Sequence, residues 1–172
     1  MPIHGIEILA SRDGLGYGKA VEASHILVDG YSMIFQWPEL VAAQKKGIGA
    51  ARDELIRMLT RFHDREGGAL TVVFDGRSVP PSGEAVPTGI RVVYTRGGRT
   101  ADAEIERIVG RDAAPERFLV ATDDRAERMT AEALGAHTMS SEFFRERILD
   151  AACELRAELD RTTAKATAFR RR

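Results

Sequence analysis

One cysteine in 172 residues, Cys153, excludes an internal disulfide and a thiolate metal cluster. That fits a reducing cytoplasm, and the apolar helical pattern around Cys153 predicts a packing role for it. Long apolar runs are missing too: nothing approaches the roughly 20 residues of a membrane span, and the N-terminus lacks the basic-then-apolar order of a signal peptide. The expected compartment is therefore the cytoplasm. Net charge is nearly absent, 25 basic residues against 26 acidic for a formal −1, so any site for a polyanion is a local patch. Histidine is sparse and scattered at His4, His25, His63 and His137, and neither Ser32 nor Ser78 has an evident base, which removes a hydrolase triad.

What is present is an ordinary globular composition, 44% apolar and 30% charged, long enough for one domain with a proper core. Residues 1–24 read as an N-terminal extension, 25–150 as the domain, and 151–172 as the continuation of a last helix ending in the basic tail Arg170-Arg171-Arg172. Gly14, Gly16 and Gly18-Lys19 in the extension imitate a phosphate-binding loop. The imitation fails on spacing, because Asp13 stands where that loop needs glycine and Ala20 where it needs a hydroxyl.

From residue 26 the chain alternates strands and helices. Ile26-Leu27-Val28 is a buried strand running into Asp29-Gly30, expected to be a tight turn, and Leu70 to Phe74 is a second strand running into Asp75-Gly76. Apolar spacing predicts a short helix after Trp37-Pro38 and a longer one over about 50–65. Prolines and glycines make 77–89 a loop, after which 90–94 is a third strand near the sheet edge. Thr100 caps a helix, 118–121 is a fourth strand, and Asp123-Asp124 open a helix packing through Ala126, Met129, Ala133 and Leu134. A weak strand over 136–139 precedes a long helix with Phe144, Ile148, Ala152, Leu155 and Leu159 at helical spacing. The fold class is α/β: a doubly wound, mostly parallel five-stranded sheet with helices on both faces and a long C-terminal helix.

In such sheets the ligand site lies beyond the carboxyl ends of the strands, at the switch point of the winding. Asp29, Asp75 and the pair Asp123-Asp124 follow three of the strands, and Asp102 opens the helix leading into the fourth. If the first strand is central, these acids crowd one cleft. Crowded carboxylates call for a divalent cation, and an all-oxygen donor set points to Mg²⁺ or Mn²⁺. Each acid also has a plain structural reading, as a helix first-turn acid or a turn residue.

The ordered set Val28-Asp29-Gly30-Tyr31, Met33-Ile34, Trp37-Pro38, Ala51-Arg52-Asp53, Leu55-Ile56, Val72-Val73-Phe74-Asp75, Thr100-Ala101-Asp102, Val120-Ala121-Thr122 and Asp124 closely resembles the YacP-like NYN-domain family of PIN-like nucleases, over about residues 25–150. The resemblance implies a metal-dependent endoribonuclease, some of whose relatives act on messenger RNA at the ribosome. It places Asp29, Asp75, Asp102 and Asp124 on the family's acidic positions, as catalytic residues. The metal set expected is Asp29, Asp102 and Asp124, with Asp123 an extra ligand or merely a helix cap. Where the family usually has asparagine after the tyrosine, this chain has Ser32, a shorter polar donor.

The expected function is hydrolysis of phosphodiesters in single-stranded RNA by a metal-activated water. Tyr31 and Ser32 are candidate RNA contacts, together with Arg77, Arg96, Arg99 and Arg125 near the cleft. Two alternatives stay open: a non-catalytic RNA- or ribosome-binding module on the same fold, and a small-molecule phosphohydrolase. The latter chemistry expects an acid two residues after its aspartate nucleophile, where this chain has Tyr31 and Arg77.

Overall fold

A computed structural model describes residues 6–10, 19–76 and 89–170. In chain order the elements are β1 (Ile6–Ala10), β2 (Lys19–Ala23), β3 (His25–Asp29), α1 (Gly30–Gln36), α2 (Pro38–Gln44), α3 (Ile48–Glu66), β4 (Ala69–Phe74) and β5 (Ile90–Tyr94). Then follow α4 (Ala101–Gly110), a 3-10 turn at Pro115–Arg117, β6 (Phe118–Ala121), α5 (Arg125–Ala133), β7 (His137–Met139) and α6 (Ser141–Arg170).

β3 to β7 form one parallel sheet in the order β5-β4-β3-β6-β7, so β3 is central, as the apolar run Ile26-Leu27-Val28 requires of a strand covered on both faces. Alternation along each strand divides its side chains between two cores. Ile26 and Val28 of β3, Leu70, Val72 and Phe74 of β4, and Leu119 and Ala121 of β6 join Trp37, Leu55, Phe62 and Phe144 on one face. Leu27, Val73, Phe118 and Val120 meet Ala101, Ile105, Val109 and Ala131 on the other. Helices α1, α2, α3 and α6 thus cover one face, and α4 and α5 the second. The chain leaves β3 toward β4 and β5, then returns through α4 to β6 on the far side of β3. The winding reverses between β3 and β6, which sets the switch point at the end of the central strand.

The structure departs from the sequence expectation in several places. Residues within 1–24 contribute β1 and β2, an antiparallel hairpin with Ile6 opposite Ala23, beside β7 and the 115–117 turn. Asp29-Gly30 opens a seven-residue helix rather than a turn. On α5, Met129 is exposed and Ala131 is the buried residue. α6 is a 30-residue helix that docks through Phe144, Ile148 and Ala151, after which residues 152–163 are all exposed. Cys153 is therefore exposed, since the body of the domain ends before the helix does. No helix among the described residues is long and apolar enough to cross a membrane.

Candidate active site

The carboxyl edge of the sheet is built from strand ends that become helix starts. Asp29 is the last residue of β3 and the N-cap of α1: its Oδ1 accepts from the backbone N–H of Tyr31 at 3.0 Å and of Ser32 at 3.3 Å. Its Oδ2 accepts from the Ser32 hydroxyl at 2.6 Å. Ser32 is thus bonded to the carboxylate it follows. Gly30 is required here sterically, because a Cβ would be driven into the ring of Phe74.

Asp75 follows β4 and is half-buried, and its Oδ1 is buried with no hydrogen-bond partner among the described residues. The next residue, Gly76, donates its N–H to the Thr95 hydroxyl at 2.9 Å and lies too close to the Thr95 carbonyl to carry a Cβ. Asp102 is exposed in the first turn of α4, whose N-cap Thr100 accepts from Ala103 N–H at 3.2 Å. Asp124 caps α5, accepting from Ala126 N–H at 2.7 Å and Glu127 N–H at 3.1 Å, while its own N–H donates to the Thr122 hydroxyl at 3.0 Å.

These four acids share one field. Although Asp102 is exposed as a residue, partial desolvation of its carboxyl, then repulsion from Asp29, Asp124 and Asp75, raises it above its ordinary range. A fifth acid belongs with them. Glu127 has its carboxyl pushed up to about 7, by burial and then by Asp102, Asp29 and Asp124, against a hydrogen bond from Thr122 that lowers it. Its Oε1 is buried without a hydrogen-bond partner among the described residues. Glu127, Asp102 and Asp124 line a cavity of about 200 Å³ between α4 and α5. In the sequence, Asp124-x-x-Glu127 has the form of a helix-capping pair, which would keep Glu127 at the helix end as a structural group. Only its unpartnered oxygen and its acidic neighbours mark it otherwise.

Asp123 stands apart. Its Oδ1 accepts from Ser141 N–H at 2.9 Å and its Oδ2 from the Ser141 hydroxyl, so it holds the start of α6. Among the arginines, Arg96 and Arg125 are exposed, Arg99 is exposed and pairs with Glu104 at 3.2 Å, and Arg77 lies outside the described residues. Glu104 is itself buried, and its carboxyl is held down at about 2 chiefly by hydrogen bonds from Arg107, then Arg99. Half-buried Tyr31 packs edge-on against Phe74 at 5.3 Å.

A cation fits the chemistry of this edge: the donors are carboxylate oxygens, two of them buried and unpartnered, in a field that repels further negative charge. The spacing is open, since among the described residues no three acidic, histidine or cysteine side chains stand close enough together to hold one ion. Asp29 and Asp124 are turned toward their own helix starts instead.

A parallel sheet with acids gathered at its switch point is the arrangement of a PIN-like nuclease fold. The YacP-like NYN domain model matches residues 26–172, and the chain belongs to that family. It is 33% identical over 125 residues to the uncharacterized protein YacP of Bacillus subtilis (strain 168), covering 70% of this chain and 73% of that one. A crystal structure of Rae1 (YacP) from Bacillus subtilis superposes with a TM-score of 0.73 at 27% identity, covering 83% of each chain. The crystal structure of a tryptophan-to-leucine mutant of the same Rae1 gives 0.72 at 25% identity, covering 82% of this chain and 84% of that one.

Proposed function

We propose that this chain is a metal-dependent endoribonuclease that hydrolyses phosphodiester bonds in single-stranded RNA, with residues 25–150 as the nuclease unit. The observation that carries the reading is the shared field of Asp29, Asp75, Asp102 and Asp124 at the switch point of a member of a nuclease family. Asp29, Asp102 and Asp124 would hold Mg²⁺ or Mn²⁺, and the unpartnered Oδ1 of Asp75 offers a further oxygen. Asp123, occupied by Ser141, is assigned to capping rather than to the metal. When bound, the cation supplies Lewis acidity toward the phosphodiester and lowers the pKa of water.

The protein's own share is positioning. Ser32 holds the Asp29 carboxylate, and the first turn of α4 and the N-cap of α5 present Asp102 and Asp124 with helix N-terminal charge beside them. Tyr31, Arg77, Arg96, Arg99 and Arg125 contact RNA, the arginines through phosphates. Messenger RNA at the ribosome, in the cytoplasm, is the setting that the family resemblance implies. Co-sedimentation of the protein with purified ribosomes tests that setting, and its absence removes it.

The test of the activity is cleavage of an end-labelled, unstructured RNA oligonucleotide with Mn²⁺ and with EDTA. Cleavage is expected only with the cation, and Asp29→Asn and Asp102→Asn are expected to abolish it while melting as cooperatively as the wild type. Undiminished cleavage by both variants overturns the site. The wide spacing of the carboxylates favours a second reading, a non-catalytic RNA-binding module. RNA binding without turnover in Mn²⁺ selects it, and turnover of simple phosphate esters with none of RNA selects a phosphohydrolase.

A further inference from the structure

Most described phenylalanines are spent on the core. Phe62, Phe74, Phe118 and Phe144 are buried and Phe143 is half-buried, whereas Phe35 is 59% exposed. An exposed phenylalanine adds nothing to the core it points away from, and this one sits in a particular place. It lies on α1, the helix that starts at Asp29, six residues or about 9 Å of helix rise beyond that carboxylate.

Its ring has an aromatic neighbour. Phe35 and Tyr31, four residues apart, occupy the same face of α1, and their rings are stacked at 6.1 Å with 20° between planes. Tyr31 is held edge-on by Phe74 at 5.3 Å, and Phe74 is stacked on Tyr94 at 5.5 Å and 22°. Four rings therefore run from Tyr94 of β5, through Phe74 at the end of β4, to Tyr31 and the exposed ring of Phe35 one helical turn further along α1. Tyr31 N–H is bonded to Asp29, so the same helical turn that fixes the carboxylate fixes the supporting ring.

We propose that Phe35, backed by Tyr31, is a stacking platform for one unpaired nucleobase of the RNA held at the carboxylate edge. The proposal rests on the reading of the site as an RNA site and adds a subsite to it. Stacking on a flat π-face suits single strands because every base has one and none is preferred, whereas bases paired within a duplex are already stacked on their neighbours. It places a base beside the site while the arginines take the phosphates, dividing affinity between a salt-insensitive contact and salt-sensitive ones.

The test is fluorescence anisotropy of a labelled, unstructured RNA oligonucleotide with the full chain in Ca²⁺, an oxygen-seeking cation that neutralises the carboxylate edge, with the RNA verified as uncut on a gel after each titration. Phe35→Ala and Phe35→Leu are expected to weaken binding about tenfold, and Phe35→Trp to hold it. Leucine keeps the apolar bulk without the π-face, so a Phe35→Leu variant that binds like the wild type overturns the platform. An oligonucleotide abasic at every position is expected to bind wild type and Phe35→Ala alike. The same wild-type-to-Phe35→Ala difference on the fully abasic strand as on the intact one also overturns the platform. Wild-type binding with unchanged affinity in all three variants defeats the platform alone. A wild type that neither binds nor cleaves RNA defeats the RNA reading itself. Melting temperatures of the exposed-site variants, expected to match the wild type, separate loss of contact from loss of fold.

Discussion

Asp29 and Ser32 show how one hydroxyl supports a site. The Ser32 Oγ–H donates to Asp29 Oδ2 at 2.6 Å, so Ser32→Ala removes the only side-chain donor on that carboxylate among the described residues and leaves it held through Oδ1 alone, by the backbone N–H groups of Tyr31 and Ser32. Outer partners of this kind are worth about 10- to 100-fold; cleavage by Ser32→Ala is expected to fall in that range, and Ser32→Asn, which restores the family's usual residue, to retain most of it. Equal cleavage by the alanine variant and the wild type would show the contact to be idle. Glu127 carries the pH dependence. Its carboxyl titrates near 4.5 when unfolded and at about 7 when folded, so between these values the folded state binds a proton that the unfolded state has released. Stability contributed by this group therefore falls as pH rises from 4.5 to 7. In EDTA, the melting advantage of Glu127→Gln over the wild type is expected to grow across that window and level off above it. A difference that stays flat with pH would contradict the assignment.

At the scale of elements, Asp29 and Asp124 are helix N-caps as well as candidate metal ligands. The two roles are separable at Asp124. Asparagine caps a helix about as well as aspartate, while alanine costs about 1 kcal/mol. Asp124→Asn is therefore expected to keep the urea midpoint of the wild type and lose cleavage, and Asp124→Ala to lose both. Retained cleavage in the asparagine variant would reduce Asp124 to a cap. Asp123 illustrates the converse, an acid drawn from the strand end into holding α6 through Ser141.

Across the whole molecule, the order β5-β4-β3-β6-β7 brings acids from four separate segments to one edge and leaves them repelling each other. That repulsion disfavours the metal-free fold, so a cation binding only the folded state stabilises it by about 2.7 kcal/mol at a hundredfold excess over its dissociation constant. Thermal melts are expected to rise with Mn²⁺ concentration in the wild type and to stay unmoved in Asp102→Asn. A parallel rise in both would place the ion elsewhere.

Strand periodicity, helix stops and the acids after the strands were legible in the sequence because they depend on local chemistry: branched apolar runs bury, prolines exclude helix, and Asp-Gly ends a strand. The same locality misled at Asp29-Gly30, where a turn signal opens a helix, and at Cys153, where helical spacing continues after the body that would bury it has ended. The amino-acid sequence by itself determined an α/β chain with a buried apolar strand ending at Asp29 and the candidate carboxylates Asp29, Asp75, Asp102 and Asp124. Only the tertiary structure decided that Glu127 joins them, that Asp123 is taken by Ser141, and that Phe35 stands exposed on a column of rings. The reason is physical: composition and spacing say which groups are polar or apolar, but burial, repulsion and stacking arise between segments far apart in the chain, and exist only once the sheet has set their distances.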